Sequence, residues 1–182
     1  MLPEWARAGR QHWRFTGAER PEFAVEPGPG QESVWDYPRP PRLVPEARTV
    51  ELFVGETLLA RTNGSFRILE TASPPTFYLP PDAFDQSLLR PAAGGSRCEW
   101  KGEARYQDVV VGDRVLRGVV WSYPEPFAPF QAIRGYLSCY PAAIRCHVSG
   151  ERVRPQPGGF YGGWVTDEIV GPFKGEPGTG GW

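Results

Sequence analysis

The chain has 182 residues, a length typical of one domain with additional terminal segments, and it contains 22 glycines and 21 prolines. Its 7 tryptophans, 7 tyrosines and 10 phenylalanines exclude a chain that is disordered throughout, because disordered sequences are poor in aromatic residues. The net charge of −1 excludes binding of nucleic acid or of an anionic membrane by bulk charge, although a local basic pocket is compatible with it.

The cysteines and the N-terminal stretch indicate a reducing compartment. Cys98, Cys139 and Cys146 include no C-x-x-C pair, and three cysteines cannot all be paired within one chain. The opening MLPEWARAGRQHWRF lacks the apolar run of a signal peptide, and no window approaches the roughly 18 apolar residues of a membrane-spanning helix. We therefore predict a soluble, cytoplasmic protein that does not bind membranes.

Residues 1–45 are predicted to form a proline-rich N-terminal arm. The prolines between positions 27 and 45 prevent long helices and remove backbone donors that a sheet needs. Trp35 and Tyr37 stand two residues apart and would point to the same face of an extended segment. Because two large rings are unfavourable when exposed together, we expect the arm to pack against the body of the protein.

Residues 46–150 are predicted to form the main β domain. Short runs of alternating polar and apolar residues are separated by Gly, Pro and Asp, which is the pattern of short strands. Gly112-Asp113 separates two such runs and predicts a hairpin, and Asp82 is expected to cap a short helix over 85–89 that Pro91 ends. The predicted strands are 49–54, 57–60, 66–70, 76–79, 97–101, 104–111, 114–121, 135–140 and 144–148, with a helical turn at 126–133.

The fold class follows from this pattern. Residues 151–182 are rich in glycine and aromatic residues and are expected to form a C-terminal extension packed on the core. No alternation of strands with helices is present, which argues against a Rossmann-type sheet. The chain is therefore expected to be mainly β, as a single compact antiparallel β domain with one or two short helices.

The densest group of ionisable and aromatic residues lies at 98–106. If this segment is a regular strand, alternation places Cys98 and Trp100 on one face and Glu99, Lys101 and Glu103 on the other. A lysine between two carboxylates is then most simply a cross-strand ion pair on a solvated face. A functional interpretation of Lys101 needs a further argument.

Three sequence runs supply that argument through a resemblance to a known family. They are LETASPPTFYLP at 69–80, CEWKGEARY at 98–106 and WSYPEP at 121–126. In order and spacing they closely resemble the domain of unknown function 427 family, over roughly residues 46–142. The resemblance implies a small β domain similar to the β-tent fold of methionine sulfoxide reductase B and of the ligand-binding domain of cereblon, and it brings no catalytic mechanism. The family's signature positions, and hence the candidate ligand-binding residues, are Glu70, Tyr78, Cys98, Lys101, Tyr106, Trp121 and Tyr123.

No metal and no other cofactor is predicted. Zinc-bearing β-tent proteins use paired C-x-x-C ligands, and the cysteines here, with only His147 near Cys146, do not have that spacing, so Cys139 and Cys146 are interpreted as small apolar strand residues. A nucleotidyltransferase label is also attached to the family. Metal-assisted transfer needs paired aspartates after a Gly-Ser turn, whereas no Asp-x-Asp follows Gly64-Ser65, so this activity is the least favoured.

The leading hypothesis is a small-molecule pocket, with or without a reaction of unassigned type. Lys101 near Cys98 would favour a nucleophilic thiolate, but the sequence offers no evident histidine base. Glu70 and Lys101 could instead form a polarised pair that orients a ligand, or a buried salt bridge within a purely structural aromatic core. An alternative of a different class is a protein-interaction module whose aromatic-rich ends hold a partner or a second copy of the chain as a homodimer.

Overall fold

The computed structural model describes residues 2–182, and their secondary structure consists mostly of short strands. One α-helix, α1, spans Glu4–Arg10, and short 3-10 helices span Val34–Asp36, Pro81–Ala83, Gln86–Leu88 and Ala128–Ile133. The strands are β1 (Glu32–Ser33), β2 (Arg42–Glu46), β3 (Val50–Val54), β4 (Thr57–Thr62), β5 (Ser65–Glu70), β6 (Ser73–Tyr78), β7 (Leu89–Cys98), β8 (Gly102–Val111), β9 (Arg114–Ser122), β10 (Leu137–Cys139), β11 (Arg145–Val148), β12 (Glu151–Arg152), β13 (Arg154–Pro155), β14 (Trp164–Val165) and β15 (Ile169–Val170).

The strands form three main antiparallel sheets. Their strand orders are β10-β9-β8-β7, β12-β11-β3-β4 and β2-β5-β6. Two short ribbons join the terminal segments, β13 with β14 in antiparallel orientation and β1 with β15 in parallel orientation. The prediction of a mainly β fold built on antiparallel sheets is thereby confirmed.

The predicted hairpin at Gly112-Asp113 is present. Val111 pairs with Arg114, and the two residues between them form the turn that joins β8 to β9. Gly112 has a φ of +56°, a left-handed conformation that glycine adopts without the Cβ clash of other residues. Here turn chemistry alone was sufficient to locate the connection.

The expected regular strand at 97–101 is wrong, and so is the alternation derived from it. β7 runs through Pro91 and Gly95 with a register shift between them, which an edge strand tolerates because its outer backbone groups need no partner. Cys98 pairs with Gly102, so residues 99–101 form the loop of the β7–β8 hairpin rather than part of a strand. The side chains of this loop therefore do not alternate between two faces as those of a strand do.

Two other local expectations are corrected. Pro74-Pro75 does not separate strands but lies within β6, again an edge strand where a missing N–H leaves no ladder bond unmade. The helical turn near residue 86 is capped by Asp85, whose carboxylate accepts from the backbone N–H of Ser87, while Asp82 makes no such contact. The capping residue is the one immediately before the turn.

Buried aromatic residues join the terminal segments to the sheets. Trp164 is fully buried and stacks on Phe77 of β6 with ring centroids 4.8 Å apart. Trp35 is also fully buried and contacts Phe15 and Trp182 edge to face. No helix among residues 2–182 has the length and apolar character needed to cross a membrane.

Candidate functional site

A cavity of about 500 Å³ lies between the β2-β5-β6 sheet and the β10-β9-β8-β7 sheet, and both chain ends contribute to its wall. β5 and β6 line one side, and the ends of β7, β8 and β9 line the other. The structure brings all of the candidate residues together around this cavity: Glu70, Tyr78, Cys98, Lys101, Tyr106, Trp121 and Tyr123.

Lys101 reaches the cavity because it lies in the loop at 99–101. The loop closes on Gly102, whose φ of +109° disfavours any residue with a side chain. Only 9% of Lys101 is exposed, and no carboxylate of residues 2–182 lies within ion-pair distance of its ammonium group. The expected ion pair on a solvated face is therefore absent, and the ring of Tyr123, 5.7 Å from Nζ, is its aromatic neighbour.

The electrostatic surroundings of Lys101 keep it charged. Burial disfavours the ammonium form, but the nearby acidic groups of Cys98, Tyr123, Tyr78 and Glu70 outweigh that effect, so the pKa of Lys101 is raised well above its usual value. At neutral pH the side chain is a buried cation. A buried cation without a carboxylate partner is unusual in a purely structural core.

Glu70 has another partner. Its carboxylate accepts from Nε of Arg39 at 3.2 Å, and the Arg39 guanidinium also donates to the carbonyl oxygens of Phe15 and Thr71. Both hypotheses that paired Glu70 directly with Lys101 are therefore wrong. The sequence offered no signal for Arg39, because a residue in the N-terminal arm meets Glu70 only after the chain has folded.

The tyrosines supply hydroxyl groups that remain protonated. Tyr78 is buried against Trp121, whose indole N–H donates to its hydroxyl oxygen at 3.1 Å. Burial raises the pKa of Tyr78 to about 12, and burial likewise raises the pKa of Tyr123 well above its usual value. At neutral pH these side chains offer O–H donors on an otherwise aromatic wall.

Cys98 is a free, half-buried thiol at the end of β7. It lies in the same wall as Lys101, as the nucleophile hypothesis requires. No histidine is among the described residues that line the cavity, so the structure adds no general base to that hypothesis.

Lys174 is the most informative residue that the sequence reasoning missed. It lies in the C-terminal extension, is 2% exposed, and places Nζ over the ring of Trp13 at 3.3 Å from the centroid. Burial lowers the pKa of Lys174 to about 8. A signal was available in the sequence, since Lys101 and Lys174 are the chain's two lysines and both line the cavity.

The other missed residues come from the ends of the chain and from the loop at 99–101. Trp13 donates its indole N–H to the carboxylate of Glu99 at 2.7 Å, which holds the N-terminal segment over the loop. Gln156 donates to the carbonyl oxygen of Lys174 at 2.7 Å and accepts from the backbone N–H of Gly163 at 3.1 Å. These bonds place the C-terminal extension against the cavity.

A metal site would need several ligating side chains close together. Residues 2–182 contain no cluster of three His, Cys, Asp or Glu side chains suited to a metal. Cys139 and Cys146 are buried in the core with their sulfur atoms 3.5 Å apart, as apolar neighbours on adjacent segments.

A family model described as a domain of unknown function (DUF427) matches residues 42–151. The chain belongs to this family. The matched segment contains all seven candidate residues, whereas Trp13 and Lys174 lie outside it. The chain matches no curated protein.

Proposed function

We propose that the protein binds a small molecule in the cavity between its two sheets. The observation that carries this proposal is convergence: three sequence runs, separated by 17 and 14 residues, contribute Glu70, Lys101 and Tyr123, with the other candidates, to one concave site. A structural role would not require ionisable side chains to gather around open volume. Ligand pockets, in contrast, combine apolar and aromatic walls with a few oriented polar groups.

The electrostatics support the same proposal. Neighbouring acidic groups shift the pKa of Lys101 upward against the effect of burial, whereas burial shifts the pKa of Lys174 downward, although both amines line one cavity. Perturbed titratable groups in a cleft are typical of functional sites. Cys98 and the two amines are also groups from which an enzyme could be built, and the reaction, if the cavity has one, stays unassigned.

The alternatives have less support. The interaction module was inferred from aromatic residues in the chain ends, yet Trp35 and Trp164 are buried inside the chain, and the exposed rings there are Phe23, at 47% exposure, and Phe160, at 77%. Transfer of a nucleotide would need a site for a metal, for which residues 2–182 show no carboxylate cluster. The likeness to the β-tent fold stays a prediction.

The test is retention of a ligand by the native protein. Native mass spectrometry of the purified chain, followed by a thermal-shift screen of a small-molecule library, should reveal compounds that bind. Thr76 lines the cavity, so Thr76→Trp should fill it and abolish binding, while Thr57→Trp, a strand threonine outside the cavity, should leave binding intact. Compounds that bind the Thr76→Trp variant as well as they bind the natural chain would refute the proposal.

A further inference from the structure

We propose that the ligand is a planar organic anion, a carboxylate or a phosphate, whose charge is held by Lys101 and Lys174. This inference rests on the proposed function, since it names the class of molecule that the cavity accepts. Its first support is the balance of charges in the wall. Glu70 is neutralised by Arg39, whereas Glu99 has only the neutral indole N–H of Trp13 as a partner, so one carboxylate without a cationic partner remains in the wall beside two ammonium groups.

The two lysines are cations in the wall without a direct partner. Among residues 2–182, neither ammonium group makes an ion pair or a hydrogen bond, although Lys101 is 9% exposed and Lys174 is 2% exposed. Buried charges are normally paired, because the loss of hydration is unfavourable without a counter-charge. An anionic ligand would supply the counter-charge for both.

The choice of residue type is the second support. The chain has 20 basic residues, and every one apart from Lys101 and Lys174 is arginine, including those at its exposed surface. Lysine is therefore not used in this chain for ordinary solvated charges. An ammonium group is a compact point charge with three donors that can turn toward a ligand, whereas a guanidinium has five donors in a rigid plane.

The rest of the wall fits the same class of ligand. The hydroxyl groups of Tyr78 and Tyr123 stay protonated and can donate toward an anion, and Tyr106 adds a third hydroxyl group to the wall. Trp121 contributes aromatic surface against which a planar body can pack. The cavity of about 500 Å³ is large enough for a molecule with a fused pair of rings.

The position of Lys174 implies that the segment that matches the family and the C-terminal extension both contribute to binding of the anion. Lys101 belongs to the segment that matches the family, while Lys174 and its neighbour Trp13 come from the two ends of the chain. Recognition of the anion therefore depends on contacts that the family segment does not supply by itself.

The probes for the test differ only in charge and anion type. They are 2-naphthoate, 2-naphthyl phosphate and the neutral 2-naphthamide, each titrated calorimetrically into the full chain at one fixed ionic strength. We expect at least one anion to bind at least about tenfold more tightly than the amide, because hydrogen bonds to a charged group are the stronger ones. The two anions distinguish a carboxylate site from a phosphate site.

Variants locate the charge. Lys101→Met and Lys174→Met should each weaken binding of the preferred anion by about tenfold or more and binding of the amide by less than about threefold. Arg117→Met removes the same charge from a side chain that is 82% exposed and is not among the lining residues, so it should change neither affinity. An equal loss in the Arg117 variant would overturn the proposal, because the effect would then be one of bulk charge.

A second measurement does not depend on how the variants fold. Reductive methylation of the natural chain reports directly on Lys101 and Lys174, since the remaining amine is the N-terminus. The preferred anion should protect both lysines and the amide neither. Binding of the amide as tightly as the anions would overturn the anion inference while leaving the small-molecule function in place, and failure of both anions to bind or protect would overturn it as well.

Discussion

The ion pair between Arg39 and Glu70 gives a prediction that separates structure from function in this cavity. The two groups lie 3.2 Å apart, and their side chains are 2% and 19% exposed, respectively. Glu70→Gln leaves the guanidinium buried without its counter-charge, and because Arg39 keeps two carbonyl acceptors the expected cost is about 2–3 kcal/mol of unfolding free energy. Lys101→Met should cost no more than about 1 kcal/mol, because methionine keeps most of the packing of the stem and no carboxylate lies within ion-pair distance to be left without its partner.

The assay is a pair of double-mutant cycles measured by guanidinium chloride unfolding. Glu70→Gln combined with Arg39→Met should show a coupling energy of about 1–3 kcal/mol, whereas Glu70→Gln combined with Lys101→Met should show less than about 0.5 kcal/mol. The control is the exposed pair Arg154–Asp167, whose distance is 2.6 Å but whose coupling should stay within about 1 kcal/mol. A coupling of Glu70 with Lys101 that equals or exceeds its coupling with Arg39 would refute the reasoning.

Three further predictions concern the cavity. Between about pH 8 and pH 10.5, the free energy of unfolding of the natural chain should rise by about 2–3 kcal/mol relative to that of Lys174→Met. The reason is that in this range Lys174 still binds a proton in the unfolded chain but has released it in the folded chain. If urea titrations gave parallel profiles of unfolding free energy against pH for the two proteins, this prediction would be wrong. Gly162→Ala should cost about 1–3 kcal/mol and weaken ligand binding, because its new methyl group would collide with the ring of Trp121, while Gly180→Ala, which meets no atom, should stay within about 0.5 kcal/mol in the same melts. Of the three thiols, that of Cys98 should react first with an aromatic disulfide reagent in the native protein, since the other two are fully buried. Equal rates for all three thiols before unfolding would contradict the burial of Cys139 and Cys146 in the core.

Much of the fold could be predicted because strands and tight turns are encoded locally. Alternation over 50–54 and the glycine at 112 involve only neighbouring residues, and both gave elements that the structure contains. The same rule failed at 99–101, where a hairpin loop replaces the expected strand. The failure has a physical reason: whether a run continues as a strand depends on which segment pairs with it, and the pairing of Cys98 with Gly102 closes the hairpin earlier.

The candidate site was predictable in part for a different reason. A resemblance in motif order pointed to the seven residues around the cavity, among them Lys101 and Tyr123, but no periodicity in the sequence would have singled them out. The partners of these residues were not predictable. Arg39 meets Glu70 across 31 positions of the chain, and nothing in the local sequence around either residue indicates the contact.

The sequence by itself determined that the chain is mainly β, where several of its strands and turns lie, and which residue types are scarce enough to attract attention. Those properties depend on interactions between residues close in the chain. Only the tertiary structure decided that Trp13 and Lys174, at opposite ends of the chain, complete the wall that Lys101 begins, and that Glu70 is paired elsewhere. The side chains become buried, and their pKa values shift, only once distant segments of the chain come together and exclude water from the volume between them.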